Sequence, residues 1–216
     1  MKVKELGIWA AIIAVLIGGM WLLINAVNSS PSVSTPLSIK IPEVSNQDIA
    51  IGSPSARVTL VEYSDFQCPA CKTYAPLVTK LSADFNKDLR MIYRFFPLTN
   101  IHQNAMLSAQ AAYAASLQGK FWEMHDLLFE NQNDWSDREA RDIFIGYAKD
   151  LKLGMDKFAK DLDANSTKQF ISKSANEAIS IGINFTPSFF INGKFIQSPA
   201  DYEAFKKVIQ DEIEAR

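Results

Sequence analysis

The chain carries two cysteines in 216 residues, and only Pro69 and Ala70 stand between them, giving Cys68-Pro69-Ala70-Cys71. A pair at this spacing, directly after a strand and at the head of a helix, has a definite chemistry. The first thiol lies where backbone N–H groups lack helical partners and the helix dipole favours negative charge. Its pKa falls, so a thiolate is available near neutral pH. The second thiol falls on the same side of the first helical turn, where a disulfide can close. Pro69 suits the first helical position, which needs no N–H. This reading makes Cys68 the exposed nucleophile and Cys71 the more buried resolving thiol.

Other uses of the pair fit less well. A secreted protein held by structural disulfides spreads more cysteines across its fold. Closing so short a loop also restricts the unfolded chain very little. Structural zinc needs four ligands, and the chain offers two cysteines, His102 and His125, with no second cysteine pair. A copper site of Cys68, Cys71 and His102 is the competing reading. No metal is expected here. His102 follows a strand in a loop-like segment, and His125 falls among Phe121, Met124 and Leu128, so both read as structural. Trp122 and Trp135 read as packing residues. No flavin, haem or nucleotide motif appears, which leaves the dithiol as the redox centre with no cofactor.

Several elements must position the pair. Arg57–Tyr63 is rich in β-branched residues and reads as a strand. The spacing of Leu77, Leu81 and Phe85 predicts a helix from Pro69 to about Phe85. Leu89–Phe96 reads as a second strand, closed by Pro97. A long helical stretch follows, from about Gln103 to Ile181, with Ala105–Leu117, Lys120–Phe129, Asp137–Leu151 and Thr167–Ile181 as its clearest segments. Gly182 stops it. Ser188–Ile191 and Lys194–Gln197 read as strands joined by a tight Asn192-Gly193 turn. A last helix begins near Pro199, with Phe205, Ile209 and Ile213 on one face. The order describes an α/β domain over residues 49–216, interrupted by an all-helical insertion at about 101–181. No internal repeat is present.

Two segments precede that domain. Leu6–Ile24 is free of charge, and its 19 residues would span roughly 28 Å as a helix, close to a bilayer's hydrocarbon core. The run exceeds a signal-peptide h-region, and Asn25-Ala26-Val27-Asn28 is a poor cleavage site. Residues 1–27 are therefore expected to be a cytosolic N-terminus and one uncleaved transmembrane anchor. Lys2 and Lys4 place the N-terminus in the cytosol and the domain outside it. Residues 28–48, with Pro31, Pro36 and Pro42 among small polar residues, read as a tether. With 48% hydrophobic and 21% charged residues the composition is globular. The net charge of −2 is dispersed and rules against a nucleic-acid partner.

Val58-Thr59-Leu60-Val61-Glu62-Tyr63-Ser64-Asp65-Phe66-Gln67-Cys68-Pro69-Ala70-Cys71 resembles the active-site segment of the DsbA family. That family comprises thioredoxin-fold oxidoreductases with an inserted helical domain. Arg94-Phe95-Phe96-Pro97-Leu98 with Gln118-Gly119-Lys120-Phe121-Trp122 resembles the entry to the insertion. Ile183-Asn184-Phe185-Thr186-Pro187-Ser188-Phe189-Phe190-Ile191-Asn192-Gly193 resembles the segment carrying a cis-proline. The likeness runs from about Ile49 to Arg216, and it implies a thioredoxin-like fold. It implies that Thr186-Pro187 is cis and sets the Thr186 backbone beside Cys68 for a substrate peptide. It implies that Glu62 is a buried acid beneath the cysteines, handling a proton for Cys71.

The expected activity is introduction of disulfides into unfolded or cysteine-containing exported proteins by a monomer. The implied reoxidant is a membrane quinone-linked thiol oxidase. The family's strong oxidants carry histidine where this chain has Ala70, so Cys68 is expected to be less acidic and the pair less oxidising. A reductase or isomerase is the alternative within that class. A copper metallochaperone or a non-catalytic peptide-binding module are alternatives outside it. The Phe66 and Phe185 neighbourhoods are expected to offer apolar contact to substrate.

Overall fold

The structure, a computed structural model, describes residues 13, 16–21 and 40–215. The chain divides into two compact units, residues 1–37 and 38–216. In the first unit residues 16–21 are helical, and Leu16, Ile17, Met20 and Trp21 are exposed. Most of the expected anchor, Leu6–Ile24, and residues 28–39 of the expected tether lie outside the described residues. Among the described residues no helix is long and apolar enough to cross a membrane.

The second unit is built on one five-stranded sheet: β1 (Ile49–Ile51), β2 (Val58–Ser64), β3 (Leu89–Phe95), β4 (Ser188–Ile191) and β5 (Lys194–Ile196). Their spatial order is β1-β3-β2-β4-β5. β2 and β3 run parallel, and the other pairs are antiparallel. The parallel pair is joined by α1 (Pro69–Asp84), the crossover such a pair requires. Between β3 and β4 come α2 (Ala105–Ser116), α3 (Phe121–Glu130), α4 (Gln132–Trp135), α5 (Arg141–Asp150), α6 (Met155–Asp163) and α7 (Asn165–Ser180). α8 (Tyr202–Glu214) closes the chain, its N-terminus capped by the Asp201 carboxylate accepting from the Ala204 N–H at 2.8 Å.

The period-2 alternation of the strands sorts side chains into two cores. Val58 and Leu60, Leu89 and Met91, and Phe189 and Ile191 face Val78 and Leu81 of α1 and Phe205 and Ile209 of α8. Val61, Tyr63, Ile92 and Phe190 face the other way, onto Ile41, Ala178 and Ile183. A third cluster joins the sheet's far end to the helical block, where Phe66, Tyr93 and Phe95 meet Phe121, Met124 and Phe129. Each such side chain contributes on the order of 2 kcal/mol by leaving water.

The structure differs from the sequence expectation in three places. The helical block also holds α4 and α6, which periodicity did not single out. α6 is mostly charged and buries Phe158 and Leu162. β1 is a three-residue strand, too short to carry a pattern. It reaches β3 because Gly52, at φ +94°, passes 2.3 Å (measured from an added Cβ) from the Leu89 carbonyl oxygen, where no side chain fits. The tether expected over 28–48 also ends earlier. Ile41 is buried in the second core, and the buried Arg94 guanidinium donates to the Pro42 carbonyl at 3.1 Å and to Asp48 at 2.8 Å. A buried cation needs acceptors, and this segment supplies them.

Candidate active site

Cys68 caps the N-terminus of α1 in extended conformation (φ −70°, ψ 123°), with Pro69 in the helix's first turn and no side chain capping it. The free N–H groups of that turn are thus left for the thiol sulfur. The Cys68 thiol donates to the Thr186 carbonyl at 3.5 Å, and the Thr186–Pro187 bond is cis. Both thiols are free. Cys71 is fully buried, and Cys68 keeps 8% of its surface accessible, less than an exposed nucleophile implies; Pro69 and Ala70 are the exposed members of the motif.

The two thiols are driven in opposite directions. A hydrogen bond from Cys71 does most to hold the Cys68 thiol down at about 5, helped by the Thr186 side chain and by the N–H groups of Cys71 and Ala70, against the cost of burial. Cys68 is therefore strongly acidic without a histidine at Ala70. Burial pushes Cys71 well above the usual thiol range, and the negative charges of Cys68 and Glu62 add to it. Glu62 is 1% exposed. Burial pushes its carboxyl up to about 7; the Ser64 hydroxyl opposes this and the Cys68 charge reinforces it. Cys68, Cys71, Glu62, Thr186 and Pro187 are thus brought to one place.

The loop before Cys68 is held by side chains that the sequence reading passed over. Asp65, buried, accepts from the Gln67 N–H at 2.8 Å and the Leu98 N–H at 2.9 Å, and its Oδ2 lies 2.7 Å from His102 Nδ1. Gln132, the first residue of α4, donates to the carbonyls of Phe66 at 2.7 Å and Cys68 at 3.0 Å. Gln67 accepts from the Asn104 N–H at 2.6 Å. The helical block therefore grips the backbone of Cys68 itself. Asp65 carried one signal, an acid closing an apolar strand; Gln132 carried none.

His102 is thus tied to the active-site loop through Asp65. His125 is a core residue, its ring edge-on to Phe66 and Tyr93 at 5.7 and 5.6 Å. Trp135 is fully buried, and Trp122 half-buried. Phe66 does not face substrate: it is buried and stacked on Tyr93 at 5.1 Å. Phe185, beside Thr186, is 48% exposed and meets the exposed Phe195 edge-to-face at 6.2 Å. Among the described residues no group of three or more His, Cys, Asp or Glu is placed to hold a metal ion.

Residues 44–211 match the thioredoxin family model. Among curated proteins, the chain is 35% identical over 185 residues to Na(+)/H(+) antiporter NhaA 1 of Mycolicibacterium gilvum, covering 84% of this chain and 29% of that protein. It is 34% identical over 173 residues to Na(+)/H(+) antiporter NhaA 3 of Salinispora tropica, covering 80% of this chain and 26% of that protein. The chain thus spans between a quarter and a third of the length of these relatives. Among solved structures it resembles oxidised BdbD from Bacillus subtilis (TM-score 0.71, 24% identity, 81% of this chain and 97% of that one). It also resembles alpha-DsbA1 from Wolbachia pipientis (TM-score 0.71, 19% identity, 84% and 97%). These structural likenesses establish a mixed α/β thioredoxin-like fold.

Proposed function

The chain belongs to the thioredoxin family, and from that premise we propose that it is a thiol–disulfide oxidoreductase that introduces disulfides into exported proteins through Cys68 and Cys71. The observation that carries this reading is the opposed acidity of the two thiols, with Cys68 held down at about 5 and Cys71 pushed up. A thiolate that is stable at neutral pH is a good leaving group, so the reduced form is favoured and electrons flow into the pair.

In the oxidising half-reaction a substrate thiolate attacks the Cys68 sulfur of the Cys68–Cys71 disulfide. The disulfide breaks, and Cys71 leaves with the electron pair and takes a proton from Glu62. A second substrate thiolate then attacks the substrate sulfur of the mixed disulfide, and Cys68 leaves as thiolate. Two substrate thiols are oxidised and one enzyme disulfide is reduced. Glu62 fits the proton transfer because a carboxyl at about 7 is partly protonated near neutral pH. The Thr186 carbonyl, 3.5 Å from the Cys68 sulfur, would pair with an extended substrate backbone.

Turnover requires a reoxidant, for which a membrane quinone-linked thiol oxidase is the proposed partner. The anchor at residues 1–27 would hold the monomeric domain beside it on the extracytoplasmic side of the membrane. Ala70 gives the reductase reading its one support, and the acidity of Cys68 without a neighbouring histidine weighs against it. The sodium–proton exchange in the relatives' names is not carried over, because the match covers a minor part of their length.

The test mixes the oxidised protein with a reduced, unfolded disulfide protein and follows disulfide formation in the substrate. Wild type should oxidise it stoichiometrically, and neither Cys68→Ser nor Cys71→Ser, which cannot form the internal disulfide, should do so. Full oxidation by Cys68→Ser would end this reading.

A further inference from the structure

Three buried side chains on one face of the sheet each hold a polar atom that has no protein partner among the described residues: Glu62 Oε2, Ser64 Oγ and the Tyr93 hydroxyl. All three residues are at most 2% exposed. Glu62 and Tyr93 stand opposite each other in the parallel β2–β3 register, and Ser64 follows on the same side of β2. The ring of Tyr93 is clamped by Phe66 and Phe121 at 5.1 Å each, so the hydroxyl cannot swing out to water. Leaving one buried polar group unsatisfied costs about 1–3 kcal/mol. Three on one face favour a shared partner, and a buried water characteristically makes about three such bonds.

We infer that Ser64 and Tyr93 are positioning residues for Glu62, the three side chains sharing one bound water beneath Cys71. This rests on the proposed exchange reaction. The water accepts from the two hydroxyls and donates to Glu62 Oε2. When the Cys71 sulfur leaves, an S–H bond forms with the Glu62 proton, and the new carboxylate is received by a donor already in place. The titratable groups facing Glu62 are Cys68 and Cys71 at the head of α1, Asp65 after β2, Tyr93 on β3 and, beyond it, His125 of α3; β4 presents only Phe189. Among these, Tyr93 stands opposite Glu62 in the strand register, and its hydroxyl has no protein hydrogen-bond partner among the described residues.

The experiment titrates the carboxyl carbon of Glu62 by nuclear magnetic resonance in the full-length dithiol protein, with Glu62→Gln assigning the signal. Tyr93→Phe and Ser64→Ala each remove one hydroxyl and little else. Each should raise the Glu62 midpoint by about one unit, tenfold in proton affinity, and move the pH profile of disulfide exchange by the same amount. An unmoved midpoint in both folded variants overturns the inference, as does a moved midpoint with an unmoved exchange profile. If wild type exchanges no disulfide, the proposed function fails instead, and the midpoint alone then decides whether the three groups form one unit. Ser64→Ala keeps the test open should Tyr93→Phe fail to fold.

Discussion

Two adjacent rungs of one strand pair make opposite use of buried polar groups. Glu62 is paired with Tyr93, and Tyr63 with Arg94 one step further along. The first rung faces α1 and the thiols, the second the far side of the sheet. On the far side the guanidinium of Arg94 donates to Asp48, to the Tyr63 hydroxyl at 2.9 Å and to two backbone carbonyls. Burial would raise Asp48, but the hydrogen bond and charge of Arg94 prevail and hold it below the usual carboxylate range. On the thiol side Glu62 and Tyr93 face each other with polar atoms unpartnered and the carboxyl pushed up to about 7. The satisfied rung contributes stability. The rung without protein partners contributes less, and in the proposed exchange its carboxyl is the proton donor to Cys71.

The comparison can be broken most directly at Arg94. Arg94→Met strands Asp48 without its cation and should cost about 3 kcal/mol or more in urea unfolding. The Cys68 thiolate should still titrate at about 5, read from its ultraviolet absorbance. A thiol midpoint that moved with Arg94 would mean that the two faces are not independent.

Glu62→Gln should act in the opposite direction. Its folded pKa lies above the unfolded one, so the native state binds more protons between about 4.5 and 7 and the wild type loses stability as pH rises through that window. The variant should be more stable by up to roughly 3 kcal/mol above pH 7, with the advantage gone below about pH 4.5. A constant advantage across the range would show that Glu62 titrates normally.

Gln132→Ala should cost about 1–3 kcal/mol by orphaning two buried carbonyls and should raise the Cys68 midpoint above about 5. The smallest contrast is between two tyrosines. Tyr63→Phe leaves an Arg94 N–H unpaired and should cost about 1–2 kcal/mol. Tyr93→Phe removes a hydroxyl with no protein partner and should cost less than half as much in the same denaturation experiment.

The strands, the helix after the cysteines and the hairpin were legible because each carries its own local period or turn signal. Leu60, Val61 and Tyr63 alternate cleanly between the two cores, and Asn192 and Gly193 adopt the positive φ (51° and 81°) that a tight hairpin turn requires. Cys68 and Cys71 were legible from type and spacing alone. The burial of Glu62 was suggested by one acid on an apolar strand. Gln132 and Asn104 were not legible, and Asp65 showed only as an acid closing an apolar strand. Their roles arise where α4 and the Leu98 loop close on the active-site loop, and no local pattern in a glutamine or asparagine reports a partner more than thirty residues away. Phe66 was misread for a related reason: adjacency to the cysteines in sequence says nothing about which side of the loop is covered by Phe129, 5.0 Å away.

The helical block has a further consequence, for how the protein matures. It places Thr186 118 residues after Cys68, so β2 acquires its two neighbours at very different separations along the chain. Contacts of such high order form late, because a large loop must close before they are rewarded. A chain made from its N-terminus acquires α1 and the acidifying helix end early. The Thr186 carbonyl, and the Phe189 side chain that walls in Glu62 from β4, come late. In a half-folded chain Glu62 is still hydrated and ionises like any surface acid. The surroundings of the cysteine pair are therefore acquired in stages, and the arrival of β4 beside β2 completes them.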